Sequence, residues 1–203
     1  MIPIIQRNMG WIEVICGCMF SGKSEELIRR LRRAVIARQK VAVFKPLIDN
    51  RFSDDHIVSH SEQRIESRAI SSSADLIELA LESHVVGIDE AQFFDEGIVE
   101  VAVRLANMGK RVIAAGLDMD YRGLPFHPMP HLMTVAEYIT KTHAICVQCG
   151  NPASFTQRNT EQSDQVVVGA SEFYEARCRN CFQPPLGEPV NRGKGETAKG
   201  QEG

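Results

Sequence analysis

The chain has no surplus of positive charge: 23 lysines and arginines stand against 26 aspartates and glutamates, a formal net charge of −3. A surface that grips nucleic acid or an anionic membrane by counter-charge is therefore not expected. There is also no uninterrupted apolar run of the roughly 20 residues needed to cross a bilayer. The stretch Met1 to Asn8 lacks the layout of a secretory leader, so a cytoplasmic protein is expected. Cysteine is sparse, six in 203 residues. Four of the six form two C-x-x-C pairs, which in a reducing compartment favours metal over cystine. What is present, 43% hydrophobic and 24% charged residues, suits one substantial core with a small appended module.

The chain is organised around Gly17-Cys18-Met19-Phe20-Ser21-Gly22-Lys23-Ser24, a complete G-x-x-x-x-G-K-S phosphate-binding pattern. An apolar run, Trp11 to Cys16, precedes it and a helical pattern follows. The glycines allow successive N–H groups to turn inward on a polyphosphate, and the helix adds its positive N-terminal end. Lys23 is expected to reach the β- and γ-phosphates and the Ser24 hydroxyl to ligate Mg²⁺. The protein is expected to bind a nucleoside triphosphate.

Strands are expected at about 10–16, 40–46, 85–90 and 111–116, with a short one at 64–70 and a last one at 142–146. Helices are expected from Ser24 to about Gln39 with Leu27, Ile28, Leu31 and Val35 inward, from Ser73, over 96–108, and over 131–139. Arg29, Arg30, Arg32 and Arg33 read as a solvated face of the first helix. This alternation gives an α/β fold, a parallel sheet covered by helices. Four segments follow: a lead-in at 1–9, the α/β domain at 10–145, a cysteine-bounded domain at 146–183 and a disordered tail at 184–203.

The third long strand ends in two acids. Asp89 is placed to hold Mg²⁺, directly or through water, and Glu90 to orient and deprotonate an attacking hydroxyl or water. If strand alternation persists, the two point to opposite sides. Cys146, Cys149, Cys178 and Cys181, with 28 residues between the pairs, form a four-thiolate pattern that closes a structural zinc tetrahedron. Cys16 is expected in the core and Cys18 partly exposed in the phosphate loop, where alkylation of its thiol would slow ATP binding.

Together these residues resemble one family, the thymidine kinases of the bacterial and human-cytosolic type. The resemblance is carried by the phosphate loop, by Asp49-Asn50-Arg51, by Gly87-Ile88-Asp89-Glu90-Ala91-Gln92-Phe93-Phe94, and by Gly116-Leu117-Asp118-x-Asp120-Tyr121-Arg122-Gly123-x-Pro125-Phe126. Thr156-Gln157-Arg158, Val168-Gly169-Ala170-Ser171 and Tyr174 complete it, framed by the four cysteines, over about residues 10–182. It implies a P-loop NTPase-type, RecA-like domain with a zinc-ribbon-like domain that carries a lasso loop. It also implies transfer of the ATP γ-phosphoryl group to the 5′-hydroxyl of thymidine or deoxyuridine, with Glu90 as base and Asp89 beside the magnesium. Asp49, Arg51 and Gln92 fall near the phosphates. Met19, Phe93, Leu117 and Tyr121 wall the base. Thr156 and the main chain of Val166, Val167, Val168 and Gly169 pair with the pyrimidine edge, and Tyr174 sits at the sugar and base end. A homotetramer and feedback by dTTP also follow from the resemblance.

Two other functions share the phosphate loop. One is a small ATPase whose zinc ribbon grips nucleic acid, which the acidic charge opposes. The other is a non-catalytic ATP-binding regulator, which Glu90 opposes.

Overall fold

The computed structural model describes residues 9–47, 64–159 and 173–184, and the backbone of 56–58. In chain order the elements are β1 (Trp11–Cys16), α1 (Lys23–Ile36), β2 (Val41–Pro46), β3 (His56–Val58), β4 (Arg64–Glu66), β5 (Arg68–Ile70) and α2 (Asp75–Leu79). Next come β6 (Val85–Ile88), a single 3-10 turn (Ala91–Phe93), α3 (Gly97–Asn107), β7 (Arg111–Gly116), α4 (Met129–Val135) and β8 (Tyr138–Lys141). The last part contains β9 (Ala144–Ile145), β10 (Pro152–Ala153), β11 (Phe155–Arg158) and β12 (Tyr174–Arg177).

Six strands form one parallel sheet in the order β5-β2-β6-β7-β1-β8. Strand alternation divides its side chains between two apolar layers. Ile12, Val14 and Cys16 of β1 join Val112 and Ala114 of β7 against Ile98, Ala102 and Leu105 of α3 and Leu132 of α4. Ile15, Val43, Val85, Ile113 and Ala115 meet Leu27, Ile28, Leu31 and Ala34 of α1 on the other face. The central strands β1, β6 and β7 are buried on both faces, which is why their sequences read as nearly continuous apolar runs.

Glu13 lies on the α1 face of β1 and is 6% exposed. It accepts from Arg30 Nη1 at 2.7 Å, Arg111 Nε at 2.6 Å and Trp11 Nε1 at 2.8 Å. Burial pushes this carboxyl up, but the bonds from Arg111, Trp11 and Arg30 outweigh it and hold the group below its usual range. Arg30 also pairs with Glu26 and donates to the Thr140 hydroxyl. Arg30 therefore does not belong to a solvated face. It ties the phosphate-loop helix to the sheet.

Several boundaries differ from expectation. Helix α1 stops at Ile36, and within it Val35 is 54% exposed while Ala34 takes the buried position. The second helix is short, and Leu79 and Leu81 lie exposed beyond its one buried leucine, Leu76. The chain turns extended at Ala136, and Tyr138–Lys141, rather than 142–146, pairs with β1 as the last sheet strand. Ala144–Ile145 pairs instead with Pro152–Ala153 beside the cysteines.

Candidate active site

Parallel strands deliver their carboxyl ends to one edge of the sheet, and the site is built there. β1 runs into the phosphate loop at Gly17, whose φ is 144°. A Cβ on this residue would stand 2.4 Å from the Thr142 carbonyl oxygen, so only glycine fits against the chain leaving β8. Thr142 then braces the loop: its Oγ1 lies 2.8 Å from Ser21 Oγ and donates to the Cys16 carbonyl at 3.1 Å. Ser21 Oγ also donates to Cys18 O at 2.8 Å. Phe20 and Gly22 adopt left-handed backbone, and α1 starts immediately afterwards at Lys23.

Lys23 Nζ donates to Cys18 O at 2.8 Å, so its ammonium spans the loop from the helical end to the strand end. Ser24 Oγ donates to Asp89 Oδ1 at 3.4 Å. Two oxygens at that spacing approach the roughly 3.0 Å edge of an octahedron with ligands at about 2.1 Å, so the pair fits Mg²⁺. Burial, and next the Glu90 charge, push the Asp89 carboxyl up to about 7. A nearby cation would reverse that imbalance.

Glu90 leaves the strand. Its φ of 50° and ψ of 42° are left-handed, so the alternation that would separate it from Asp89 ends at Ile88. Such backbone costs a non-glycine residue about 1–2 kcal/mol. Gln92 Nε2 donates to Glu90 Oε2 at 2.6 Å, and Gln92 Oε1 accepts from Leu117 N at 2.9 Å. Phe93 follows, with its ring edge-on to Phe126 at 5.6 Å between centroids. Asp120 shapes the turn after β7 by accepting from the Arg122 and Leu124 N–H groups.

The cysteine-bounded segment docks directly on the phosphate loop. Met19 N donates to Thr156 Oγ1 at 3.1 Å, and the Cys18 thiol donates to Ala153 O at 3.3 Å. Cys18 is 2% exposed and packs with Cys146, Cys178, Ala144, Ala153 and Ala176. The expectation of a partly exposed Cys18 is corrected: the hairpin covers it, and burial pushes its thiol up. Arg158 stacks over the Tyr121 ring at 3.5 Å and donates to Tyr174 Oη at 2.9 Å, joining the turn after β7 to β11 and β12.

The Sγ atoms of Cys146, Cys149, Cys178 and Cys181 all lie within 4.8 Å of one another. The Cys149–Cys178 separation is 3.6 Å, far beyond a disulfide and close to the roughly 3.8 Å edge of a tetrahedron with 2.3 Å bonds. Four thiols so placed can hold a metal ion.

A family model described as thymidine kinase matches residues 10–182. The chain belongs to the thymidine kinase family. A thymidine kinase of Rhodothermus sp. (strain ITI 518) is 58% identical over 188 residues, 91% of this chain and 88% of the relative. Thymidine kinases of Bacteroides fragilis and Bacteroides thetaiotaomicron are each 54% identical over 182 residues, 90% of this chain and 92% of theirs.

Of the residues that the family resemblance nominated, Asp49, Arg51, Val166, Val167, Val168 and Gly169 lie outside the described residues. The others lie in the phosphate loop, just after β6 and β7, and in the cysteine-bounded segment that docks on the loop. Thr142, Ala153 and Glu13 had no motif to announce them, because their roles come from packing between segments distant in sequence. The arginine-bearing face of α1 also borders an open cleft of about 890 Å³ with Ser21, Gly22 and Thr142. Among the described residues no helix is long and apolar enough to cross a membrane.

Proposed function

We propose that the chain transfers the γ-phosphoryl group of ATP to the 5′-hydroxyl of thymidine, or of deoxyuridine, with Glu90 as the base. The product, dTMP, feeds DNA precursor synthesis by salvage. One observation carries the assignment of the base: Glu90 departs from strand geometry directly after Asp89, and Gln92 holds it there. One acid then serves the nucleotide side with Ser24, and its neighbour is turned to a different task.

In the reaction the thymidine O5′–phosphorus bond forms and the bond from the γ-phosphorus to the β–γ bridging oxygen breaks. ADP departs with that electron pair, and the hydroxyl proton passes to Glu90. Lys23 and the N–H groups of residues 17–24 hold the phosphates and offset the charge gathering on ADP. Ser24 and Asp89 would hold Mg²⁺, which neutralises phosphate charge, and Asp49 and Arg51 complete the phosphate site. Met19, Phe93, Leu117 and Tyr121 form the apolar wall. Thr156 and the 166–169 main chain pair with the pyrimidine edge, and Tyr174 closes the sugar end. Cytosine reverses the donor and acceptor pattern of thymine, so it leaves buried groups unpaired and is rejected. The 5-methyl contributes only about 1–3 kcal/mol, so deoxyuridine is accepted.

The four cysteines hold structural zinc in this reading, and residues 146–183 act as a lasso-bearing domain on the 10–145 domain. The enzyme is a cytoplasmic homotetramer. Because dTTP carries both thymine and a triphosphate, it spans the two halves of the site and inhibits. ADP release from Mg-ATP should rise with thymidine and not with single-stranded DNA; stimulation by DNA alone would overturn the reading. Glu90→Gln should lower kcat about 10²- to 10⁴-fold with ATP binding retained, and near-normal turnover would remove Glu90 from the role of base.

A further inference from the structure

Gln92, which the family resemblance puts near the phosphates, has both ends of its side chain bound by protein groups. We infer that Gln92 is a positioning residue, which anchors Glu90 to the end of β7 and determines which carboxylate oxygen meets the acceptor hydroxyl. The inference deepens the proposed function and rests on Glu90 being the base.

Gln92 is 3% exposed, and both ends of its carboxamide are engaged. The orientation of the amide is dictated chemically. The Leu117 N–H can only donate, so it selects Gln92 Oε1, and the NH₂ group must face Glu90 Oε2. Oε2 is thereby occupied, which leaves Oε1 of Glu90 for the substrate proton. Leu117 directly follows Gly116, which pairs in register with Cys16 at the end of β1. The base is thus referenced to the strand that launches the phosphate loop, so acceptor and donor sites share one rigid edge.

The absence of a side chain at residue 116 is an independent observation. A Cβ there would lie 2.6 Å from Gln92 Oε1 and 2.7 Å from Met129 Sδ. Gly116 therefore keeps open the passage that the carboxamide occupies. Asparagine is one methylene too short for both bonds. Methionine has the length and neither bond.

The test compares Gln92→Met, Gln92→Asn, Glu90→Gln and the Glu90→Gln/Gln92→Met double variant. Steady-state kinetics are measured for thymidine and ATP, with ATP affinity by calorimetry and folding by thermal melts. Each folded Gln92 variant should lose about 10- to 100-fold in kcat, the penalty of a misplaced group, with both KM values and ATP affinity within threefold of wild type. The double variant should be no slower than Glu90→Gln alone, because Gln92 acts through Glu90. Should one substitution at 92 unfold the protein, Gly116→Ala displaces the intact carboxamide and should show the same kcat loss. Three results overturn the inference: kcat within twofold of wild type, weakened ATP binding with kcat restored at saturation, or a raised thymidine KM alone. Normal turnover in Glu90→Gln would instead reject Glu90 as base, so the two failures are distinguishable.

Discussion

Glu13→Gln removes one charge from the cluster that fastens α1 to the sheet and keeps the shape of the side chain. Glu13 receives Arg111 in two bonds, at 2.6 and 3.2 Å, and Arg30 at 2.7 Å. Removing one partner from a fully buried ion pair costs about 3–5 kcal/mol. The arginines here are not fully buried, with side-chain exposures of 14% and 22%, and Arg30 keeps Glu26 as a second partner. Arg111 also rests over the Trp11 ring at 5.8 Å. Partial hydration and these remaining contacts reduce the expected loss to about 2–3 kcal/mol. At about 2–4 °C per kcal/mol for a chain of this size, Tm should fall by roughly 4–12 °C at pH 7 and fixed protein concentration. The difference should carry a pH signature. The Glu13 carboxyl titrates below its ordinary value of 4.5 in the folded state, so its contribution is complete above that pH. It disappears as pH falls through the lowered folded value. Melts by circular dichroism from pH 8 down to pH 4 should show a gap that is constant to about pH 5 and begins to narrow at the acid end. A variant within 1 °C of wild type at pH 7, or a gap that widens on acidification, would refute the reasoning.

Two further outcomes follow from the contact between the cysteine-bounded hairpin and the phosphate loop. Stripping the metal from the cysteine cluster should weaken ATP binding together with thymidine binding, because Cys18 packs against Cys146 and Cys178 and Thr156 accepts from Met19 N. Mass spectrometry for bound metal and titration with a fluorescent ATP analogue check this; unchanged ATP affinity in metal-free protein would disprove the coupling. Native Cys18 should resist alkylation at pH 8, since it is 2% exposed and burial pushes its thiol up. Peptide mapping that finds Cys18 fully modified within minutes, before unfolding, would contradict the packing described.

How far the site was legible depended on whether a residue's job is local. Gly17 to Ser24 could be read directly, because a phosphate loop is a contiguous run of backbone N–H groups between one strand and one helix. Asp89 could be placed because four apolar residues carry it to a strand end. Glu90 was identifiable as a second acid, but its direction was not: the alternation argument fails where the backbone turns left-handed, and the carboxylate is then held by Leu117 through Gln92. Arg30 illustrates the same limit. On a helical wheel it is one of four arginines on a polar face, and only the sheet beneath reveals that Glu13 meets it.

By itself, the order of residues determined the α/β class, the phosphate-loop pattern and the two pairs of thiols, since each is read from short spacings or from a periodicity repeated along the chain. Tertiary structure alone decided that β8 ends the sheet at Lys141, that Cys18 is sealed beneath the hairpin, and that Gln92 reaches β7. The physical reason is range. Propensity and motif act over a turn or two of chain, whereas burial and hydrogen-bond pairing depend on which distant segments the fold brings within about 3 Å.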